Sequence, residues 1–147
     1  MKKSIKVLAA PEAVWRAILS YRESQPHRRR IVSQTAGSAV IEESFTGLPL
    51  VGASRIVYEE TEFPFAQVKF KLLEGEHVSK FDGSWTISAQ ANDQVSELTA
   101  EVDFDINLSL PFKEVVLNQL AERDLGKRLA YVKETAERDE NGVSNAD

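Results

Sequence analysis

Few side chains in this 147-residue chain have the chemistry of a catalyst. His27 and His77 are its two histidines, and both lie in segments that we predict to be loops. A general base needs a partner within hydrogen-bond reach, and the sequence spacing supplies none for either histidine. The chain has no cysteine and carries no metal-ligand spacing, phosphate-binding glycine loop or nucleophile elbow. We therefore predict no catalytic residue, no metal site and no cofactor. An enzymatic function is the less favoured hypothesis.

Three polar side chains in neighbouring alternating segments offer a second kind of chemistry. Glu43 in one segment, and Tyr58 and Glu60 in the next, share a strand face with apolar residues. If those faces point inward, the carboxylates need Arg55 or another cation as a partner, or a raised pKa. An inward cluster of this kind would favour an enzyme. The alternative, that the carboxylates turn to water, is favoured because buried carboxylates are rare.

One cationic run is present, at residues 27–30 (His-Arg-Arg-Arg). We interpret it as the solvated start of a strand. The alternative is a contact for anionic lipid headgroups or RNA phosphates, but three arginines are too few to establish one. The formal net charge of −5 argues against bulk nucleic-acid binding. We therefore expect no DNA partner, and the charge also argues against a ribosome partner.

Composition limits the class of protein. An apolar content of 42% without any apolar run near twenty residues predicts one domain with a real core and no membrane span. Residues 1–7 are basic but lack the apolar stretch and the small-residue cleavage site of a signal peptide. Together with the lack of cysteine, these features favour a cytoplasmic protein. We expect a single domain over residues 1–140 and a disordered tail over 141–147.

The spacing of apolar residues predicts an α+β protein. Alternation over residues 5–9 predicts a first strand, and Pro11 then opens a helix with one apolar stripe, followed by room for a short second helix. Period-two alternation next predicts six strands, at residues 29–36, 39–46, 53–61, 66–73, 79–89 and 95–107.

The last predicted strand and the helix after it enclose the expected interior. One face of that strand is apolar and the other is polar, which is typical of an antiparallel sheet with one wet face. The final helix is predicted from about residue 112 to about residue 138. Gly126 lies in its middle, where glycine costs about 1 kcal/mol relative to alanine. We expect that glycine to serve close packing or a bend.

Hairpin connectivity places alternate loops at the same end of the sheet. Loops at 47–52, 74–78 and 109–112 should cluster at one end, which places His77 there too, and Gly37-Ser38, Phe63-Pro64 and Asn92-Asp93 at the other. The first loop carries Leu48, Leu50 and Val51 between two glycines. One interpretation is a segment that packs on the final helix and closes the core. The functional alternatives are a mobile lip over a cavity mouth or a patch that makes transient contact with a membrane.

The order of elements resembles the START-like helix-grip superfamily, also called SRPBCC or polyketide cyclase/dehydrase and lipid transport. The resemblance rests on residues 10–15 (Ala-Pro-Glu-Ala-Val-Trp) between the first strand and six further strands, and on the long last helix. Residues 81–85 (Phe-Asp-Gly-Ser-Trp) are similar to a strand of its coenzyme Q-binding branch, and residues 104–111 are similar to the last strand and helix entry of that branch. It implies a seven-stranded curved antiparallel sheet wrapped around a long C-terminal helix.

Such an architecture predicts binding or transport of a hydrophobic small molecule, such as a lipid, a quinone or a polyketide-like aromatic, between sheet and final helix. One alternative is a polyketide cyclase/aromatase-type enzyme. Another is a ribosome-associated, toxin-like interaction module, which the resemblance also allows. The candidate ligand-binding residues are Phe45, Leu48, Leu50, Tyr58, Phe70, Trp85, Phe104, Leu108, Phe112, Val116 and Leu120.

Overall fold

The computed structural model describes the backbone of residues 1–145 and the side chains of residues 1–140. In chain order the elements are β1 (Lys2–Val7), α1 (Pro11–Ser20), a short 3-10 helix (Tyr21–Glu23), β2 (Arg29–Thr35), β3 (Ser38–Leu48), β4 (Gly52–Phe63), β5 (Gln67–Gly75), β6 (Val78–Ala89), β7 (Ser96–Ile106) and α2 (Lys113–Asn145).

The seven strands form one curved antiparallel sheet in the order β1-β7-β6-β5-β4-β3-β2. Both α-helices lie against the same side of the sheet, where α2 contacts β7 and β1 and α1 contacts α2 and β6. The buried apolar side chains of the sheet, of α1 and of α2 between Leu120 and Ala136 form a single core. The predicted α+β helix-grip fold is therefore confirmed.

Local sequence explains how α1 and β7 form. Pro11 occupies the first turn of α1, where its missing N–H is not needed, and Ala10 before it is extended. The residues of α1 that face the core are Ala13, Val14, Trp15, Ala17 and Ile18. In β7 the alternation buries Leu98, Ala100, Val102 and Ile106, as the sequence predicts.

The chain's first and last elements differ from their predicted bounds. β1 begins at Lys2, earlier than predicted, because Lys2–Val7 pair with β7 from Glu101 to Ser96. α2 begins at Lys113, since Phe112 has a φ of 53° that a right-handed helix does not allow.

The C-terminal helix also extends beyond its predicted end near residue 138. Glu137 Oε2 accepts a hydrogen bond from Leu8 N at 2.8 Å, and Glu140 Oε1 accepts one from Ala10 N at 2.9 Å. These bonds hold the late turns of α2 against the β1–α1 connection. The division into a domain over 1–140 and a disordered tail over 141–147 stays a prediction. The helix includes residues up to Asn145, and residues 146 and 147 lie outside the described part of the chain.

Backbone hydrogen bonds show that the loops cluster at the two ends of the sheet as predicted. At one end Asn107 N donates to His77 O at 2.8 Å, which joins the end of β7 to the β5–β6 loop. At the other end Glu62 N donates to Gly37 O at 2.8 Å, which joins the end of β4 to the β2–β3 turn. The first of these ends carries the 47–52 segment that the sequence singles out.

Two glycines in the core elements have different environments. A Cβ on Gly83 in β6 would lie 2.0 Å from the backbone oxygen of Glu101 and 2.7 Å from Cζ of Phe70. The strand therefore needs glycine for the close approach of its neighbours. A Cβ on Gly126 in α2 would meet no atom within 4 Å. The expectation that Gly126 serves close packing is wrong, because nothing packs against that position.

We predict opposite effects of the same substitution at these two glycines. Gly83→Ala should lower the free energy of unfolding by about 3 kcal/mol, because the added methyl meets a backbone carbonyl that cannot move freely. Gly126→Ala should raise it by about 0.5–1 kcal/mol, because alanine is the better helix former. Urea unfolding followed by tryptophan fluorescence measures both changes. A destabilised Gly126→Ala variant would show that the helix needs glycine after all.

Candidate functional site

A groove of about 510 Å³ opens between α2 and the edge of the sheet. One wall is the α2 surface between Leu120 and Glu134, and the opposite wall is the end of β3 between Glu43 and Gly47. The segment from the 3-10 helix to the start of β2 closes a third side. The groove is thus built where the long helix crosses the β2–β3 edge.

A buried carboxylate, Glu43, lies in the floor of this groove. Its Oε1 accepts hydrogen bonds from Arg29 Nε at 2.7 Å and from the Tyr58 hydroxyl at 3.0 Å. Its Oε2 accepts one from Arg128 Nη2 at 2.9 Å, and Arg128 Nε donates to Asp124 Oδ2 at 2.7 Å. One carboxylate therefore joins β2, β3, β4 and α2.

Arg29 extends the same network into the irregular segment before β2. Its Nη1 donates to the backbone oxygens of Tyr21 and Ser24 at 3.2 and 3.0 Å, and its Nη2 donates to the Tyr21 hydroxyl at 2.9 Å. The guanidinium also lies 3.9 Å from the centre of the Tyr21 ring. The Tyr21 ring in turn packs edge-on against the ring of Tyr131 in α2, with 5.2 Å between the ring centroids. These contacts fix the aromatic wall of the groove.

The electrostatics of this network keep Glu43 ionised. Burial alone would raise the pKa of the Glu43 carboxyl, but the guanidinium groups of Arg128 and Arg29 hold that pKa below its usual range. Burial and the neighbouring Glu43 charge raise the pKa of Tyr58 well above its ordinary value. At neutral pH the carboxylate is thus a poor base and the phenol stays protonated, which suits a scaffold better than a proton-transfer pair.

A second buried ion pair lies apart from the groove walls. Arg22 Nε donates to Glu60 Oε1 at 2.6 Å, and Arg22 Nη1 donates to Glu62 Oε2 at 3.0 Å. Arg22 Nη2 is buried and has no hydrogen-bond partner among the described residues. Burial raises the pKa of Glu60 in spite of the Arg22 charge. This pair stabilises the packing of the 3-10 helix on β4.

The favoured expectation that Glu43 and Glu60 turn to water is therefore wrong. Both carboxylates are buried, as is Tyr58, and they face the side of the sheet that the helices cover. Arg55, the cation suggested by the sequence, is exposed and pairs with Glu42 and with Glu74 instead. The cations that neutralise the buried carboxylates are Arg29 on the neighbouring strand β2, Arg128 on α2 and Arg22 in the 3-10 helix.

Five aromatic side chains fill the interior beneath the groove. Phe45 stacks on Phe104 with 5.1 Å between the ring centroids. The ring centroid of Phe81 lies 4.9 Å from that of Phe70 and 5.3 Å from that of Tyr58. These rings pack against one another and occupy space that the sequence assigns to a ligand. The accessible space therefore lies in the groove above them.

The structure divides the predicted ligand-binding residues into several environments. Phe45 and Leu120 line the groove. The others are buried in the core (Leu48, Tyr58, Phe70, Trp85), partly buried against it (Phe104, Leu108, Val116) or exposed (Leu50, Phe112).

Several residues of the groove and of the charged network in its floor escape the sequence analysis, although some had a signal. Arg128 continues a helical stripe of 4-3-4 steps with Ala121, Leu125 and Val132, and that stripe is buried. A cation inside such a stripe indicates a buried acidic partner. Arg29, interpreted as part of a solvated strand start, is also buried. Tyr21 and the other groove residues before β2 lie in a segment without hydrophobic periodicity, so no sequence pattern indicates their place in the groove.

The glycine-flanked 47–52 segment divides into a core part and an exposed part. Leu48 is the last residue of β3, is 3% exposed and belongs to the core. Leu50 in the following turn is 85% exposed, with a φ of 71°. The mobile-lip interpretation is therefore wrong for Leu48, because its side chain packs inward.

Other sequence candidates lie outside the groove. His27 is exposed and His77 is half-buried, and neither lines the groove. Among the described side chains, no group of three or more acidic or histidine residues is placed to hold a metal ion. None of the helices in the described part of the chain combines the length and apolar character that crossing a membrane requires.

Solved structures share this architecture at low sequence identity. The Zhui aromatase/cyclase from Streptomyces sp. R1128 superimposes with a TM-score of 0.68 at 13% identity, over 96% of this chain and 92% of that chain. A START superfamily protein from Mycobacterium smegmatis gives 0.65 at 16% identity, over 97% of each chain. TTHA0849 from Thermus thermophilus gives 0.69 at 13% identity, over 98% of each chain.

No protein-family model matches the sequence, and no curated protein matches it significantly. At these identities the structural likeness shows the fold, which is the helix-grip fold of START proteins and aromatase/cyclases.

We predict that Glu43→Gln lowers the free energy of unfolding at pH 7 by about 3–5 kcal/mol, because it leaves Arg29 and Arg128 buried with too little negative charge. The pKa of Glu43 is lowered in the folded state, so its ionised form stabilises the fold above the unfolded pKa of about 4.3. That contribution is lost as the pH falls through the folded pKa. The deficit of the variant should therefore shrink in acid, as measured by urea unfolding between pH 3 and 7.

Glu60→Gln is the matched control, and its pH dependence should have the opposite sign. The pKa of Glu60 is raised in the folded state, so wild-type stability falls as the pH rises from the unfolded pKa through the folded one. Glutamine does not titrate, so the variant lacks this loss of stability. The free energy of unfolding of Glu60→Gln relative to wild type should therefore be higher at pH 7 than at pH 4. Parallel pH profiles for the two variants would contradict the assignment of opposite shifts.

We predict that Leu48 and Leu50 differ in their effect on stability although they are close neighbours in the chain. Leu48→Ala should cost about 2–5 kcal/mol because it opens a cavity in the core. Leu50→Ala should change stability by less than about 0.5 kcal/mol because its side chain is in water. Thermal unfolding measures both. Equal losses would show that the turn also packs onto the body of the protein.

Proposed function

We propose that the protein binds a small molecule with an apolar body in the groove between α2 and the β2–β3 edge. The observation that carries this proposal is the groove itself, whose volume of about 510 Å³ is in the range of small-molecule sites. The structural neighbours support it at the level of the fold, since they include a START superfamily protein and an aromatase/cyclase.

The groove walls suit a ligand with aromatic or aliphatic surface. Tyr21 and Tyr131 present ring surface on one side, and Phe45, Leu120 and Ala130 complete the apolar part of the wall. Burial of about 200 Å² of apolar ligand surface would contribute about 5 kcal/mol before the entropic cost of association. A lipid, a quinone and a polyketide-like aromatic remain the candidate classes, and a quinone would agree with the coenzyme Q-binding resemblance.

The packed interior limits how such a ligand binds. The aromatic side chains beneath the groove contact one another, and Glu43 with its arginines occupies the floor. A ligand in this groove would therefore lie along α2 with part of its surface in water. This geometry favours a carrier that holds and releases its ligand through an open side.

An aromatase/cyclase-type activity is the second candidate, and one observation favours it. Tyr21 lines the groove and its hydroxyl accepts a hydrogen bond from Arg29, while burial raises its pKa. A protonated phenol there is available to donate to a ligand carbonyl. The binding function is better supported because the ionised Glu43 is a poor base. Turnover of a poly-β-ketone that Tyr21→Phe abolishes would establish the enzyme.

The ligand itself is best sought on the purified protein. Native mass spectrometry should show an additional mass that denaturation releases. Wild-type protein that carries no such mass and also binds no apolar dye would contradict a ligand-binding function.

We predict that Ala130→Trp blocks the groove without harming the fold. Ala130 is exposed on α2 and lines the groove, so an indole there should fill space that the ligand needs. The affinity for the neutral dye N-phenyl-1-naphthylamine should fall at least about tenfold, which corresponds to about 1.4 kcal/mol. Fluorescence titration measures the affinity, and thermal unfolding checks the fold.

Gln119→Trp is the control for this experiment, because Gln119 is exposed on the same helix but does not line the groove. It should leave the dye affinity within about twofold of wild type. If Ala130→Trp also leaves the affinity unchanged, the dye binds elsewhere and the groove is not the site.

A further inference from the structure

The charges that line the groove are unequal in number. Four cationic side chains face three carboxylates, and a fifth cation, Arg128, is buried against the floor. The lining cations are Arg28, Arg29, Arg123 and Lys127, and the lining carboxylates are Glu43, Asp124 and Glu134. An excess of positive charge at one concave site is unexpected in a chain whose net charge is −5.

All three carboxylates already have arginine partners, namely Arg29, Arg128 and Arg138. Glu43 accepts from Arg29 and Arg128, and Asp124 accepts from Arg128 at 2.7 Å. Glu134 accepts from Arg138 Nη2 at 3.0 Å, one turn further along α2. Each carboxylate in the groove therefore has a cationic partner without any contribution from Arg28, Arg123 or Lys127.

The remaining cations lie at the mouth of the groove on two of its sides, with Arg28 on the segment before β2 and Arg123 and Lys127 on α2. Arg28, Arg123 and Lys127 have no carboxylate within ion-pair distance among the side chains that the structure describes. Arg28 donates to the Thr46 hydroxyl, so its guanidinium is directed along the end of β3. Arg123 and Lys127 lie one helical turn apart on α2 and so present their charges on the same face.

The position of Arg123 brings the two walls together. Its Nη1 lies 3.7 Å from the place that a Cβ would take on Gly47, at the end of β3. Thr46, which holds Arg28, is the residue before that glycine. The two guanidinium groups thus approach the same short stretch of β3, one from the segment before β2 and the other from α2.

We propose that Arg28, Arg123 and Lys127 form an anion subsite at the mouth of the groove, and that the ligand joins a carboxylate or phosphate group to an apolar body. This inference rests on the proposed binding function and specifies the chemistry of its ligand. Guanidinium groups bind such anions with two parallel hydrogen bonds, and the lysine adds a point charge. The apolar body would lie against Tyr21 and Tyr131.

Two dyes with the same aromatic skeleton test the subsite. 1-Anilinonaphthalene-8-sulfonate carries an anion, and N-phenyl-1-naphthylamine is its neutral counterpart. Wild-type protein should bind the anionic dye about tenfold more tightly, and 0.5 M NaCl should reduce that preference. In Arg123→Gln/Lys127→Gln the preference should fall to about threefold or less, while the affinity for the neutral dye stays within about twofold.

A matched variant separates the subsite from a general change in charge. Arg16→Gln/Lys71→Gln removes one arginine and one lysine that are exposed and lie outside the groove. It should retain the full preference for the anionic dye. An equal loss of preference in both double variants, or no loss in either, would overturn the anion subsite and leave the apolar groove standing. Failure of wild-type protein to bind either dye would overturn the groove as well.

Competition identifies the source of the anion. Displacement of the dye by free decanoate, without cosedimentation of the protein with phosphatidylglycerol vesicles, would assign a soluble acid. Cosedimentation that Arg123→Gln/Lys127→Gln abolishes would assign the headgroup of an anionic lipid, and both results support the subsite. Decanol that displaces the anionic dye as well as decanoate does would contradict it.

Discussion

The buried charge of Glu43 is the constraint on which the helix–sheet arrangement depends. A carboxylate in a protein interior is costly unless charged groups and hydrogen-bond donors surround it. Here Arg29, Arg128 and Tyr58 supply three hydrogen bonds of 2.7–3.0 Å. Because these donors come from β2, α2 and β4, the carboxylate holds the long helix at a defined place over the sheet edge. The groove is the space that remains between them.

The same network divides the interior into a packed part and an open part. Below Glu43, aromatic rings from β3 to β7 contact each other and leave the sheet face filled. Above it, Arg29 holds Tyr21, whose ring packs against Tyr131 of α2, and so fixes the irregular segment before β2. A helix-grip fold thus need not enclose a deep cavity. In this chain the accessible space lies at the side, where polar and apolar groups meet.

Charge is distributed differently inside the groove and at its mouth. The inner arginines, Arg29 and Arg128, are buried and hydrogen-bonded to carboxylates and, for Arg29, also to Tyr21 and Ser24, so they contribute to structure. The outer cations, Arg28, Arg123 and Lys127, have no carboxylate partner among the described residues and are partly or fully exposed to solvent. Exposed cations cost little stability and are free to contact an approaching anion. Under the proposed function, stability and ligand chemistry would therefore depend on separate sets of residues on the same walls.

The sequence by itself determined the elements, their order and the clustering of loops, because strand alternation and Pro11 at a helix start are local signals. It also indicated that Glu43 and Glu60 share faces with apolar residues. The sequence did not identify the cations that neutralise these carboxylates. Arg128 and Glu43 are 85 positions apart, and a periodic pattern carries no information about so distant a contact. Tertiary structure alone decided that the aromatic side chains would fill the interior and that Tyr21 and Tyr131 would form a groove wall. Those outcomes depend on how helix and sheet pack, which is a property of distant contacts.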